Sequence, residues 1–220
     1  MQSSAIEDLK VRIGSFRLNT RSDKWRCVNA EDGLYHVRDL RYALDSSTML
    51  DPRDDVIQWT HDIPIKVVCM VWRANLGRLP TAEALIKRGI PIETPICSHC
   101  EIEDEDIMHA IWRCPFAKTV WFWIFKWCDI PIPAIEEVVD LIRFLNTWGN
   151  SHKRRKTLIS ICYGTLWMIW NARCDWVFKR RRISPTKVAD NIKSIVYTWL
   201  KYRRSKCDFK WEEWCAKPFN

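Results

Sequence analysis

Residues 96–116 read ICSHCEIEDEDIMHAIWRCPF. Four of them are of types that ligate transition metals: Cys97, Cys100, His109 and Cys114, with two, eight and four residues between them. A Cys pair two residues apart can put both sulfurs on one ion from a single tight turn. A His and a Cys on a following element complete a tetrahedron. Three thiolates and an imidazole suit Zn²⁺, and four protein ligands make a closed structural site. A catalytic zinc would keep an open position, and nothing in the stretch suggests one. His99 lies between the first two ligands and competes with them on paper, but it would have to distort the turn to reach the same ion.

The same stretch carries Glu101, Glu103, Asp104, Glu105 and Asp106. A loop this acidic repels phosphate. The metal is therefore expected to staple one helix against another, with zinc binding supplying folding energy directly.

Working outward, Ile65, Val68, Trp72, Leu76 and Leu79 repeat at three-to-four spacing after Pro64 and predict an amphipathic helix with those residues on its apolar face. Thr81 is a good N-cap for a helix over 82–88, and Gly89 a good stop. Asp104, Glu105 and Asp106 suit the first turn of a helix that carries His109. Pro115 opens another, with Phe116, Val120, Ile124 and Trp127 on its apolar face. A helix over 138–148 follows. LISICYGTLWMIWNARCDWVF (158–178) is apolar nearly all round and predicts a buried central helix. Ser184–Pro185 starts a last long helix, and the tail FKWEEWCAKPF reads as a docked turn.

Hydrophobic residues make up 47% of the 220-residue chain, enough to bury a core. Trp72, Trp121, Trp167 and Trp170 fall on apolar helical faces and are expected to pack in it. The run 157–172 is uncharged but too short and too polar for a membrane span, so no membrane association is expected. The N-terminal segment has no apolar secretory stretch, which points to an intracellular protein with free thiols. Two β-prone runs, around Trp25–Val28 and Leu34–Val37, flank Asp32–Gly33 and predict a small hairpin. A short helix over 37–44 follows it.

The net charge of +8 is unevenly placed: residues 151–206 hold 15 Lys and Arg against Asp175 and Asp190 alone. Lys153, Arg154, Arg155 and Lys156 precede the central helix; Lys179, Arg180, Arg181 and Arg182 follow it, with Arg203, Arg204 and Lys206 further on. This is the footprint of a phosphate-binding face without sequence specificity, set against the plainer reading of a solvated surface. The cluster at 179–182 also reads as a nuclear-import signal.

Taken together, the ordered matches identify a resemblance. IPIKVVCMVWRANLGRLPTAEALIKRGIPI (63–92), CSHC (97–100) and EDIMHAIWRCPFAKTVW (105–121) resemble the zinc-binding domain of reverse transcriptases that follows the polymerase in plant LINE-type retrotransposon polyproteins. The resemblance spans roughly residues 59–127 and continues more weakly into 166–178. It implies zinc at Cys97, Cys100, His109 and Cys114, a nucleic-acid setting in the nucleus, and a reverse-transcriptase core as a partner in trans. It does not imply catalysis: the chain has no Tyr-x-Asp-Asp turn and offers no converging carboxylate set for Mg²⁺.

The expected fold is mainly α with a small N-terminal β-hairpin, a zinc-stapled helical domain and a basic helical hairpin. The segments are 1–58, 59–128, 129–150 (linker and short helix) and 151–220. The expected function is a non-catalytic zinc-binding module that contacts RNA or DNA through its basic helices. The alternative is a structural or protein-interaction scaffold, or an inert relic, in which zinc only stabilises the fold.

Overall fold

The computed structural model describes residues 7, 11, 14, 32–38, 57–204 and 210–219. The chain divides after Pro52 into two compact units. In the first, the hairpin expectation is corrected. No described residue lies in a strand: Leu34–His36 are irregular and Val37–Arg38 helical, while 25–28 fall outside the described residues. The Asp32 carboxylate accepts a hydrogen bond from the Leu34 amide at 2.9 Å and lies 2.9 Å from His36 Nε2. That local side-chain capture occupies an amide that a cross-strand ladder would need.

The second unit is built mainly of helices, and none of its described residues forms a sheet. Helix α1 (Ile65–Asn75) starts after Pro64 and gives way at Gly77, where φ is +68°. Helix α2 (Ala82–Ile86) is capped by Thr81, whose hydroxyl accepts from the Ala84 amide. A π-helical turn (His109–Arg113) leads into α3 (Pro115–Cys128), which has Pro at its first position and ends on Asp129 in the left-handed region. Helix α4 (Val138–Thr147) follows, then α5 (His152–Lys179), α6 (Pro185–Arg203) and the short α7 (Trp211–Ala216).

Helix α5 is the axis of this unit. It is buried on all sides from Thr157 to Leu166, and α1, α3, α4, α6 and the π-turn pack on it. Its polar side chains survive burial because Thr157, Ser160 and Thr165 return their hydroxyl protons to carbonyls four residues back. Gly164 sits where α6 comes closest: a Cβ there would lie 2.7 Å from Val196 Cγ2. Arg204, at the end of α6, donates to Asp62 at 3.0 and 2.7 Å and to the Thr157 hydroxyl at 2.9 Å, clamping the 57–63 segment to α5. The tail docks through Trp214, 1% exposed, which donates to the Lys193 carbonyl and accepts on its own carbonyl from Trp127 Nε1.

The face of α1 also differs from expectation. Val67, Val68, Met70, Val71 and Ala74 are buried, whereas Ile65, Trp72 and Leu76 are exposed. The helix is apolar on two sides, and α5 takes the one with smaller side chains. Of the four Trp expected in the core, Trp121 and Trp170 are buried, Trp167 is half-buried and Trp72 is out. Among the described residues, no helix is long and apolar enough to cross a membrane.

Candidate metal centre

Two short elements bring the four metal-type side chains together. The first is the turn 97–100. It is closed by the Glu101 amide donating to the Cys97 carbonyl at 2.8 Å, with Glu101 itself at φ +58°. Its entry segment is pinned to its exit by an isolated antiparallel bridge, Ile96 to Asp104, and by the Cys97 amide on the Glu103 carbonyl at 2.8 Å.

The second element is the π-turn. In an α-helix, two residues five apart project about 140° from each other. Here the Cys114 amide donates to the His109 carbonyl, five residues back, at 2.9 Å. That wider closure returns Cys114 to the side that His109 faces. The Asp106 carboxylate caps the turn by accepting from the His109 amide at 2.6 Å, and its other oxygen takes Arg113.

The donor atoms of Cys97, Cys100, His109 and Cys114 all lie within 4.8 Å of one another and could hold a metal ion. Cys97 and Cys114 Sγ are 3.9 Å apart, and Cys100 Sγ is 3.2 Å from His109 Nε2. A tetrahedral Zn²⁺ with bonds of about 2.0–2.3 Å puts its donors roughly 3.3–3.8 Å apart, close to these two separations. His109 Nδ1–H donates to Glu103 Oε2 at 2.9 Å, which leaves Nε2 pointing inward as the ligand nitrogen. Cys97, His109 and Cys114 are each at most 1% exposed. The Cys97 and Cys114 thiols share a hydrogen bond; it holds Cys114 below the ordinary thiol value and, with burial, pushes Cys97 above it. His99 points elsewhere: its ring stacks on Phe116 with centroids 4.2 Å apart, and it is not one of the four.

The acidic loop has an internal use that its composition hides. Glu105, 1% exposed, accepts from Arg173 Nε at 3.1 and 3.3 Å, from Arg173 Nη2 at 2.6 Å and from the Ala82 amide at 3.1 Å. It therefore bolts the knuckle to α5 and to the start of α2 together. Trp176, one turn along α5, donates to the Ser98 carbonyl at 2.8 Å. Sequence reasoning did not assign Glu103, Glu105, Arg173 or Trp176 to the site. The signal for Arg173 was there: it directly follows the uncharged run 157–172.

Eight of the basic residues singled out above, 153–156 and 179–182, lie at the two ends of α5. At the start, Arg155 donates to the carbonyls of Trp148 and Gly149, at 3.0 and 2.7 Å, and so closes the end of α4. Lys153, Arg154 and Lys156 have no acidic partner among the described residues. At the other end, Lys179 and Arg181 both bind Asp175, and Arg182 lies over the Trp176 ring and 3.3 Å from Glu101. Arg180 is the left-handed C-cap, with φ +53°.

By sequence, residues 43–121 match the family described as zinc-binding in reverse transcriptase. The matched segment contains all four metal-type side chains and ends inside α3. No characterised protein and no solved structure matches the chain.

Proposed function

We propose, from that family match, that this chain is a non-catalytic zinc-binding module derived from a retrotransposon reverse transcriptase, and that it meets RNA or DNA while the metal serves the fold. The observation that carries this reading is the donor set: four candidate ligands, three of them at most 1% exposed, fit a closed structural site. Zinc held by Cys97, Cys100, His109 and Cys114 supplies a cross-link between the 97–100 turn and the π-turn. Residues 59–128 then form the zinc-bearing part and 151–220 the basic part.

The nucleic-acid half of the proposal rests on Lys153, Arg154 and Lys156. They stand at the start of α5, Lys153 and Arg154 in its first turn, where cations oppose the helix dipole and no acid offsets them. Fold stability gives no reason for them, whereas a phosphate does. A reverse-transcriptase core supplied in trans and a nuclear setting complete this picture. A second reading, a scaffold with no nucleic-acid role, draws support from the far end of α5, where Asp175 and Glu101 already hold Lys179, Arg181 and Arg182.

A salt series on zinc-loaded protein separates the two. The first reading expects RNA or DNA binding that weakens steeply with salt, with a slope flattened by about 2–3 in Lys153→Glu/Arg154→Glu/Lys156→Glu. Absence of binding at low salt leaves the scaffold. Metal analysis tests the site itself: one zinc per chain is expected, and a Cys97→Ser/His109→Ala variant that keeps its zinc would overturn the ligand set.

A further inference from the structure

Helix α3 keeps one arc out of the core. Its buried residues are Ala117, Val120, Trp121, Ile124, Phe125, Trp127 and Cys128. At about 100° per residue, Lys118, Phe122 and Lys126 line up in one outward row, with Thr119 and Trp123 in the row beside it. All five are exposed, Phe122 at 46% and Trp123 at 38%. The two rings meet edge to face with centroids 5.4 Å apart, and Lys126 Nζ lies 5.7 and 5.1 Å from their centres.

The charge on this arc is of one sign. Residues 115–128 contain no acid, and neither Lys118 nor Lys126 has an acidic partner among the described residues. Asp129, just beyond the helix, is paired with Lys217 at 3.3 Å. A single exposed apolar side chain is ordinary. Two adjacent rings flanked by unpaired cations are a combination that favours bases and phosphates together.

We propose that this arc is a stacking platform for single-stranded RNA or DNA. Phe122 and Trp123 take unpaired bases on their faces, and Lys118 and Lys126 hold the phosphates on either side. The two lysines are about 12 Å apart along the axis with Phe122 midway, at 1.5 Å per residue. A duplex does not serve, because its bases have already spent their faces on each other. The apolar part of the arc is too narrow for a helix lying in a membrane surface, which needs a broad apolar face. The proposal rests on the nucleic-acid reading above and places a second contact away from α5.

The test is fluorescence anisotropy on the zinc-loaded full chain, with labelled oligo-uridine, oligo-deoxythymidine and a duplex of equal length. Phe122→Ala/Trp123→Ala is expected to weaken single-strand binding by about tenfold or more per ring while sparing duplex binding. Trp123→Phe should retain most of the affinity. Lys118→Gln/Lys126→Gln should reduce the single-strand salt slope by about 1.4. Zinc content and circular dichroism confirm that each variant folds. If the alanine pair does not fold, Lys118→Glu/Lys126→Glu carries the test, with a loss of single-strand affinity expected. Wild-type single-strand affinity in the ring variants, or in the charge reversal, overturns the platform. In that case the reading built on Lys153, Arg154 and Lys156 still stands if its own variant loses binding. No binding to any nucleic acid at low salt overturns both. Ring-dependent binding to anionic phosphatidylserine vesicles, without single-strand binding, overturns the platform in favour of a lipid surface.

Discussion

Glu105 and Arg173 stand 68 residues apart in sequence and form a charge pair in which both partners are buried. Such a pair is a weak source of net stability, but removing one partner strands the other charge without water. Glu105→Ala is expected to cost about 3–5 kcal/mol in a urea denaturation of the zinc-loaded protein. Replacing both, Glu105→Leu with Arg173→Met, should cost clearly less than the two single changes combined; additive losses would sink this account. At this scale the sequence was legible only where chemistry is local. Cys97, Cys100, His109 and Cys114 could be read because ligand spacing is short-range. The five acids between them read as one repulsive cloud, yet Glu103 orients His109, Asp106 caps the π-turn and Glu105 binds α5. Composition cannot assign a carboxylate to a partner that the fold delivers from far along the chain.

Among the elements, the long helices were legible because their periodicity and caps agree: Ser184 before Pro185 starts α6, and Pro115 starts α3. Helix α1 was found in the right place with its face only partly right: of the expected set Val68 and Leu79 are buried and Ile65, Trp72 and Leu76 are not, since Ile65–Trp72–Leu76 and Val67–Val71–Ala74 are both apolar stripes and periodicity cannot choose between them. The π-turn was invisible for a different reason. Its need arises only when His109 and Cys114 must face the same point. Gly164 is a related case, because its role depends on Val196 and Trp199 from α6. Gly164→Ala should gain helix propensity of about 1 kcal/mol and lose more to overpacking, for a net destabilisation of about 1–2 kcal/mol by thermal or urea unfolding. A stabilised variant would mean that Val196 yields, and that the approach of α5 to α6 is not set by this glycine.

For the second unit as a whole, the metal centre would join the 97–100 turn to the π-turn, while Glu105–Arg173, Trp176 on Ser98, Arg182 at Glu101 and His99 on Phe116 hold that turn to the helices. The metal is therefore expected to govern the local order of residues 90–127 more than the global fold. Chelation should raise hydrogen exchange first there, before α5 and α6 lose protection; simultaneous loss everywhere would make zinc a global folding requirement instead. The mainly helical architecture, and the Cys/His cluster within it, were legible from patterning and spacing. The two basic clusters at either end of the central helix were legible as well; the distance between them follows from the helix's length. Helix α5 has 28 residues and so runs about 42 Å. Its two cationic ends are separated by roughly a dozen base steps at about 3.4 Å each. Under the nucleic-acid reading proposed above, the helix would act as a ruler: an oligonucleotide shorter than that would touch one pole alone, so binding measured against oligonucleotide length should be read with that threshold in mind.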